Sequence, residues 1–211
     1  MMTRLKGWRQ LSALFVALVS VAGPVAAADE ITSSSGDPGG DELVFLPPPG
    51  WHAAHQKRDE TLYEITFVPE GQNATDWTEA LRAQIFFGLA DKIPALTPAD
   101  FTENLLRYYK GVCRGGKASP PSSWNDHGYT ATVRIISCAR QLGDELGSVS
   151  MVKVMRGRAS MFVLDRSWRG RAFASGTMPV AQEMRDDWAE FLAKSFLCNR
   201  QDPDTPCPKS P

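Results

Sequence analysis

The chain has 211 residues, 43% of them hydrophobic and 22% charged, and its 23 basic side chains nearly balance 24 acidic ones. That balance excludes the dominant positive field that non-specific nucleic-acid binding requires. After the N-terminal segment no apolar run approaches the roughly 20 residues of a membrane-spanning helix, and the length suits one domain with a real core.

The N-terminus reads as a targeting signal. Arg4, Lys6 and Arg9 precede an apolar run over 11–23, and Ala26, Ala27 and Ala28 supply small residues for cleavage before Asp29. The run is short for an anchor, and no cysteine follows it for lipid attachment. The expectation is a signal peptide over 1–28 and a mature chain, periplasmic or secreted, with no transmembrane segment. Losing three basic residues takes the net charge from −1 to −4. Residues 29–41 are polar and glycine-rich and read as a flexible leader, 42–197 as the folded domain, and 198–211 as a proline-rich tail.

Residues 43–46 form a short apolar strand, stopped by Pro47, Pro48, Pro49 and Gly50, and Trp51 follows as an anchor beneath a sheet. Strands are expected over 52–58 and 61–68, with Tyr63, Ile65 and Phe67 on the core side by alternation. Thr75 reads as the cap of a short helix over 75–79, followed by a strand over 84–89. Thr97, Pro98 and Asp100 give a strong helix start, and Phe101, Leu105, Tyr108, Tyr109 and Val112 recur at helical spacing. That helix ends among the glycines of 111–116, and a Pro/Ser loop covers 117–127. A strand covers 129–138. Residues 147–168 read as the central hairpin, two proline-free runs of Val, Met, Phe and Leu around the turn at Arg156, Gly157, Arg158 and Ala159. A last helix runs from Pro179 to about Leu197, with Val180, Met184, Trp188, Phe191 and Leu192 on its apolar face. The fold class is therefore α+β, one disulfide-stabilised domain, with an antiparallel sheet of six or seven strands flanked by helices.

Four cysteines in an exported chain suggest disulfides, and Cys113–Cys138 with Cys198–Cys207 is the favoured pairing of the three possible. No Cys/His spacing matches a zinc site, and no metal or cofactor is expected. The segment 111–118 nearly matches a Walker A loop, but Ala118 stands where a magnesium-binding hydroxyl belongs, and helix-capping glycines explain it better. His52 and His55, three apart on a strand, fall on opposite faces. His127 lies beside Asp126 in a loop, and Ser175 lacks a nucleophile elbow. The less ordinary feature is a basic cluster around the hairpin: Lys153, Arg156, Arg158, Arg166, Arg169 and Arg171, with Trp168 among them. Solvated turn charges would explain it. As a site, Arg156, Arg158, Arg166, Trp168 and Arg169 would form a recognition patch for a protein, a glycan or a lipid headgroup. As exposed charges the arginines should tolerate substitution.

Pro49-Gly50-Trp51, Phe67 to Gly71, Trp77, Lys153 to Gly157, Met161 to Leu164, Arg166 to Arg169 and the closing Cys198…Cys207-Pro208 resemble an uncharacterised family of proteobacterial secreted or periplasmic proteins. More loosely the layout is similar to Mog1/PsbP-like folds. The resemblance implies a binding or assembly role. The missing catalytic constellation and the arginine–tryptophan cluster point the same way, to a non-catalytic envelope module of unknown ligand. An enzyme with an unrecognised site, or a host-facing secreted factor or inhibitor, is the alternative. A deep pocket joining His127 to carboxylates would favour the enzyme. The sequence leaves the oligomeric state open.

Overall fold

The computed structural model describes residues 31–33 and 37–208. The expected signal peptide, and residues 29, 30 and 34–36 of the expected leader, lie outside the described residues. The first strands are β1 (Ile31–Ser33), β2 (Asp41–Phe45), β3 (Trp51–Arg58), β4 (Leu62–Pro69) and β5 (Glu79–Phe86). Two helices follow, α1 (Leu89–Lys92) and α2 (Pro98–Val112), then β6 (Cys113–Ala118), β7 (Ser122–Asp126), β8 (Tyr129–Gln141), β9 (Leu146–Arg156) and β10 (Met161–Arg171). The chain closes with α3 (Gln182–Lys194) and β11 (Phe196–Asn199).

The hairpin β9–β10 is central. The eight-stranded antiparallel sheet runs β3-β4-β5-β10-β9-β8-β6, with β7 also on β8. This exceeds the six or seven strands expected, and β1, β2 and β11 form a separate three-stranded sheet. Both faces of the hairpin are covered, which is why its strands read as continuous apolar runs. Val149, Met151, Met155, Phe162 and Leu164 pack with Leu43, Phe45, Trp188, Leu192 and Leu197 from the small sheet, α3 and β11. The alternate residues Val152, Val154, Met161 and Val163 pack with Phe101 and Leu106 of α2 and Ala90 of α1.

Helix α2 begins as its sequence dictates. The Thr97 side chain accepts from the Asp100 amide, and the Asp100 carboxylate accepts from the Thr97 amide, a reciprocal capping box with Pro98 in the first turn. Its buried face is Phe101, Thr102 and Leu106, so the expected stripe is rotated: Tyr108 and Val112 face outward. Three further expectations change. No helix forms over 75–79: the Asn73 amide donates to the Asp76 carbonyl at 3.1 Å and the Thr78 amide donates to the Gln72 side chain at 2.7 Å, so the segment closes as a loop whose amides are satisfied outside a helical ladder. The Gly-rich segment after α2 is not a glycine cap: Cys113 ends the helix in extended geometry and 113–118 pairs with β8 as a strand. The Pro/Ser loop holds β7, a hairpin partner of β8.

Both disulfides form as paired in the sequence reading, Cys113–Cys138 with Cα atoms 5.6 Å apart and Cys198–Cys207 with 4.8 Å. The first joins the α2–β6 junction to β8. Replacing Cys113 and Cys138 by Ala is expected to lower unfolding free energy by about 2–5 kcal/mol. Urea denaturation of the two proteins measures this, and coincident curves would refute it. The second bridge closes the tail onto β11, so residue 198 belongs to a strand. Asp41, 2% exposed, ties this end together. Its carboxylate accepts from the Tyr129 hydroxyl at 2.8 Å, the Asn199 amide group at 3.0 Å and the Arg158 backbone at 2.6 Å. Burial, first, and this carboxylate push the Tyr129 phenol up to about 12.

Candidate functional site

The basic residues of the hairpin do not share one surface. In an antiparallel hairpin Arg156 lies opposite Met161, whereas Arg166 lies five residues further along β10, about 17 Å away at strand rise. The turn end is tied inward. Arg156 donates to the carbonyls of Leu96 at 2.6 Å and Ala90 at 3.0 Å. Arg158 pairs with Asp202 and lies 3.8 Å from Asp41. Lys153 has no exposed surface and donates to Asp126, Leu192 and Ser195.

The opposite end gathers the rest. Gly50, at φ 76°, turns the chain after the prolines, a geometry that favours glycine, and delivers Trp51 as the first residue of β3, opposite Pro69. Trp168 pairs with Glu79, so the start of β3 and the ends of β4 and β10 meet at the same edge of the sheet. There the Arg166 guanidinium lies 4.7 Å from the Trp51 ring centre and 5.4 Å from that of Phe191. Arg166 is 7% exposed, reaches Glu79 at 3.4 Å, and its Nε has no hydrogen-bond partner among the described residues. Burial pushes its pKa down, and Glu79 opposes that. Arg169 sits 4.5 Å from the Trp77 ring and donates to the carbonyls of Trp77 at 3.2 Å and Thr75 at 2.8 Å. It thereby holds the 75–78 loop against β10. The Trp168 indole leans over Gly170, where a side chain would collide with the ring, and faces Phe173 at 6.2 Å. Trp51, Trp77 and Trp168 all remain half-buried, and Arg171 is exposed.

Such an end can bind. Half-buried indoles offer rigid apolar area with a polar tip, and arginines already stacked on them lose little freedom when a partner arrives. Of the sequence candidates it holds Arg166 and Trp168 on one face of β10 and Arg169 on the other. Trp51 was read only as an anchor, and Trp77 was hidden inside a helix that does not form.

The remaining candidates are placed elsewhere. A bulge between Ala53 and His55 sets His52 opposite Val68 and His55 opposite Thr66, two residues apart on β4. Both imidazoles therefore belong to one face, contrary to the simple alternation, with His55 3.7 Å from Glu64. His127 adopts φ 52°, accompanies Asp126 at 3.0 Å and stacks on Phe196. Under α2 lies a polar path that sequence reasoning missed. Arg82 approaches Asp165 at 3.5 Å, the Ser167 hydroxyl donates to Asp165 at 2.6 Å, and Ser150 and Ser167 share a 2.7 Å bond. Asp165 raises the Arg82 pKa, and burial raises that of Tyr109 above it. Glu42 lies beside Cys198 and Cys207, whose sulfurs are bonded to each other and so are not thiolate ligands. Among the described residues no helix is long and apolar enough to cross a membrane.

No protein-family model and no curated protein matches this sequence. Among solved structures it is similar to cyanobacterial PsbP from Synechocystis, at 17% identity over 82% of this chain and 96% of that one, with TM-score 0.48. It is also similar to the Ran-binding protein Mog1p of Saccharomyces cerevisiae, at 12% identity over 78% of this chain and 84% of that one, with TM-score 0.42. LpqN of Mycobacterium tuberculosis, involved in cell envelope biogenesis, is similar at 15% identity over 80% and 90% of the two chains, with TM-score 0.42.

Proposed function

We propose that this chain is an exported, non-catalytic binding or assembly module of the cell envelope, and that it docks through the sheet end formed by Trp51, Trp77, Trp168, Arg166 and Arg169. One observation carries the reading. Three half-buried tryptophans lie at one end of the sheet, and two of them have arginines stacked on their rings. Tryptophan and arginine are the side chains most enriched at interface hot spots, and truncating one there costs about 2 kcal/mol or more, roughly 30-fold in affinity. Export is supported by the N-terminal sequence and by two disulfides, which persist in oxidising compartments.

The test compares the protein with Trp77→Ala, a change outside the core, in capture of partners from envelope extract. Trp77→Ala is expected to weaken capture about 30-fold while keeping the parent melting temperature. Arg158→Ala, at the far end of the hairpin, serves as the contrasting variant and should leave capture intact. A stable Trp77→Ala protein that captures the same partner at unchanged affinity and salt dependence would move the docking surface elsewhere.

A further inference from the structure

The turn between β8 and β9 carries a leucine at its tip. Leu142 is 52% exposed, and Val112 at the end of α2 is 39% exposed. The Leu142 amide donates to the Val112 carbonyl at 2.9 Å, so the two apolar side chains spring from adjoining backbone. Tyr108, one helical turn before Val112 and therefore on the same face of α2, is 67% exposed. Turn tips ordinarily hold Gly, Asn, Asp or Ser, and nothing in folding rewards an exposed leucine there.

Cations rim this tip. Arg114 stands directly opposite Arg140 in the β6–β8 register. Like charges so placed destabilise an antiparallel pair. Glu145 relieves Arg140 at 3.0 Å, whereas Arg114 and the exposed Lys110 and Lys117 have no carboxylate within 4.0 Å among the described residues. The acids of the turn are Asp144 and Glu145, and the Asp144 carboxylate accepts from the Glu145 amide at 2.7 Å. An open recess of about 410 Å³ lies between the two arginines and the turn.

We propose that this tip docks on an anionic phospholipid surface, with Leu142, Val112 and Tyr108 entering the headgroup layer and Arg114, Arg140 and Lys110 meeting lipid phosphates. A stable protein interface buries about 1,200 Å² or more around a closely packed centre, which a protruding tip with so few apolar side chains does not offer. A bilayer needs no matching pocket: apolar side chains enter it while the surrounding cations meet its negative surface. The tip lies at the same end of the sheet as the tryptophans, with Arg171 opposite Leu146 beside the turn, but it uses none of the side chains proposed above and does not depend on them.

The test is co-sedimentation of the protein, as processed and purified from its cells, with vesicles of phosphatidylglycerol and phosphatidylcholine or of phosphatidylcholine alone. The protein is expected to partition into the anionic vesicles, less so at high salt, and weakly into neutral ones. Leu142→Ser combined with Arg114→Gln shares the parent N-terminus, so the difference between the two proteins reports the tip. Partitioning should fall at least about fivefold, the share of one lost cation. If the double variant melts lower than the parent, Lys110→Gln alone, on the exposed face of α2, decides by the same fivefold criterion. Equal partitioning into both vesicle types, or a stable variant that partitions like the parent, overturns the proposal.

Discussion

Lys153→Met should lower the stability of the domain by about 3–5 kcal/mol, the cost of leaving a buried charge without its partner. The ammonium of Lys153 is fully buried and uses all three of its protons: on Asp126 at 2.5 Å, on the Leu192 carbonyl at 2.9 Å and on the Ser195 carbonyl at 2.5 Å. The last two acceptors lie at the C-terminal end of α3, where carbonyls lack helical partners and the dipole favours a cation. One side chain of the central hairpin therefore pins a helix end and neutralises a carboxylate that is 9% exposed. Burial pushes the Lys153 pKa below its ordinary value and Asp126 draws it back up. Methionine keeps most of the stem packing but supplies no proton. Adding Asp126→Asn removes the stranded charge and should recover a substantial part of the loss. Urea unfolding of the four proteins in this cycle gives the coupling directly. A loss below about 1 kcal/mol in Lys153→Met, the level of a surface pair, would show that the ammonium is not what holds the helix.

Lys153 also shows what sequence can and cannot deliver. Periodicity located the hairpin, because two runs of Val, Met and Phe without proline are what a strand buried on both faces looks like. The α2 cap was legible for the same local reason: Thr97, Pro98 and Asp100 act on each other within one turn. Errors arose where neighbours far along the chain decide. Residues 113–118 lack apolar content, yet they form a strand because β8 offers an open edge and the Cys113–Cys138 bond ties the segment to that strand. The second sheet joins β2 to β11 across nearly the whole chain, and no local pattern announces such a pairing.

The candidate site was half legible for a related reason. Arg166, Trp168 and Arg169 were visible as types, but charge counted along a sequence says nothing about which end of a hairpin each residue occupies. Strand register separates Arg156 and Arg158 from them and brings in Trp51 and Trp77 from other segments. The bulge at Ala54 is a smaller case: one extra residue puts His52 and His55 on the same face, which alternation alone denies.

Arg156→Glu is the second large effect expected, about 3–5 kcal/mol, and it reverses the expectation that a turn arginine can be exchanged freely. The Arg156 guanidinium spans two carbonyls, Leu96 at 2.6 Å in the segment before α2 and Ala90 at 3.0 Å within α1. The Ala159 carbonyl, three residues on, accepts from the amides of Ala90 and Asp91 at 2.9 and 3.2 Å. The hairpin turn thus holds α1 and the entry to α2 by backbone and side chain together. Each charge-assisted bond contributes about 1.5–3 kcal/mol, and glutamate would replace both with repulsion between its carboxylate and the two carbonyl oxygens. Arg156→Met separates the two parts of the effect. It retains the apolar stem, introduces no charge, and should cost about 1–3 kcal/mol. Arg158→Glu, facing Asp41 and Asp202, should also destabilise, through like charge at a site that now holds an ion pair. Urea midpoints should therefore fall in the order parent, Arg156→Met, Arg156→Glu. An Arg156→Glu protein that unfolds within about 0.5 kcal/mol of the parent would return the residue to the class of ordinary surface charges.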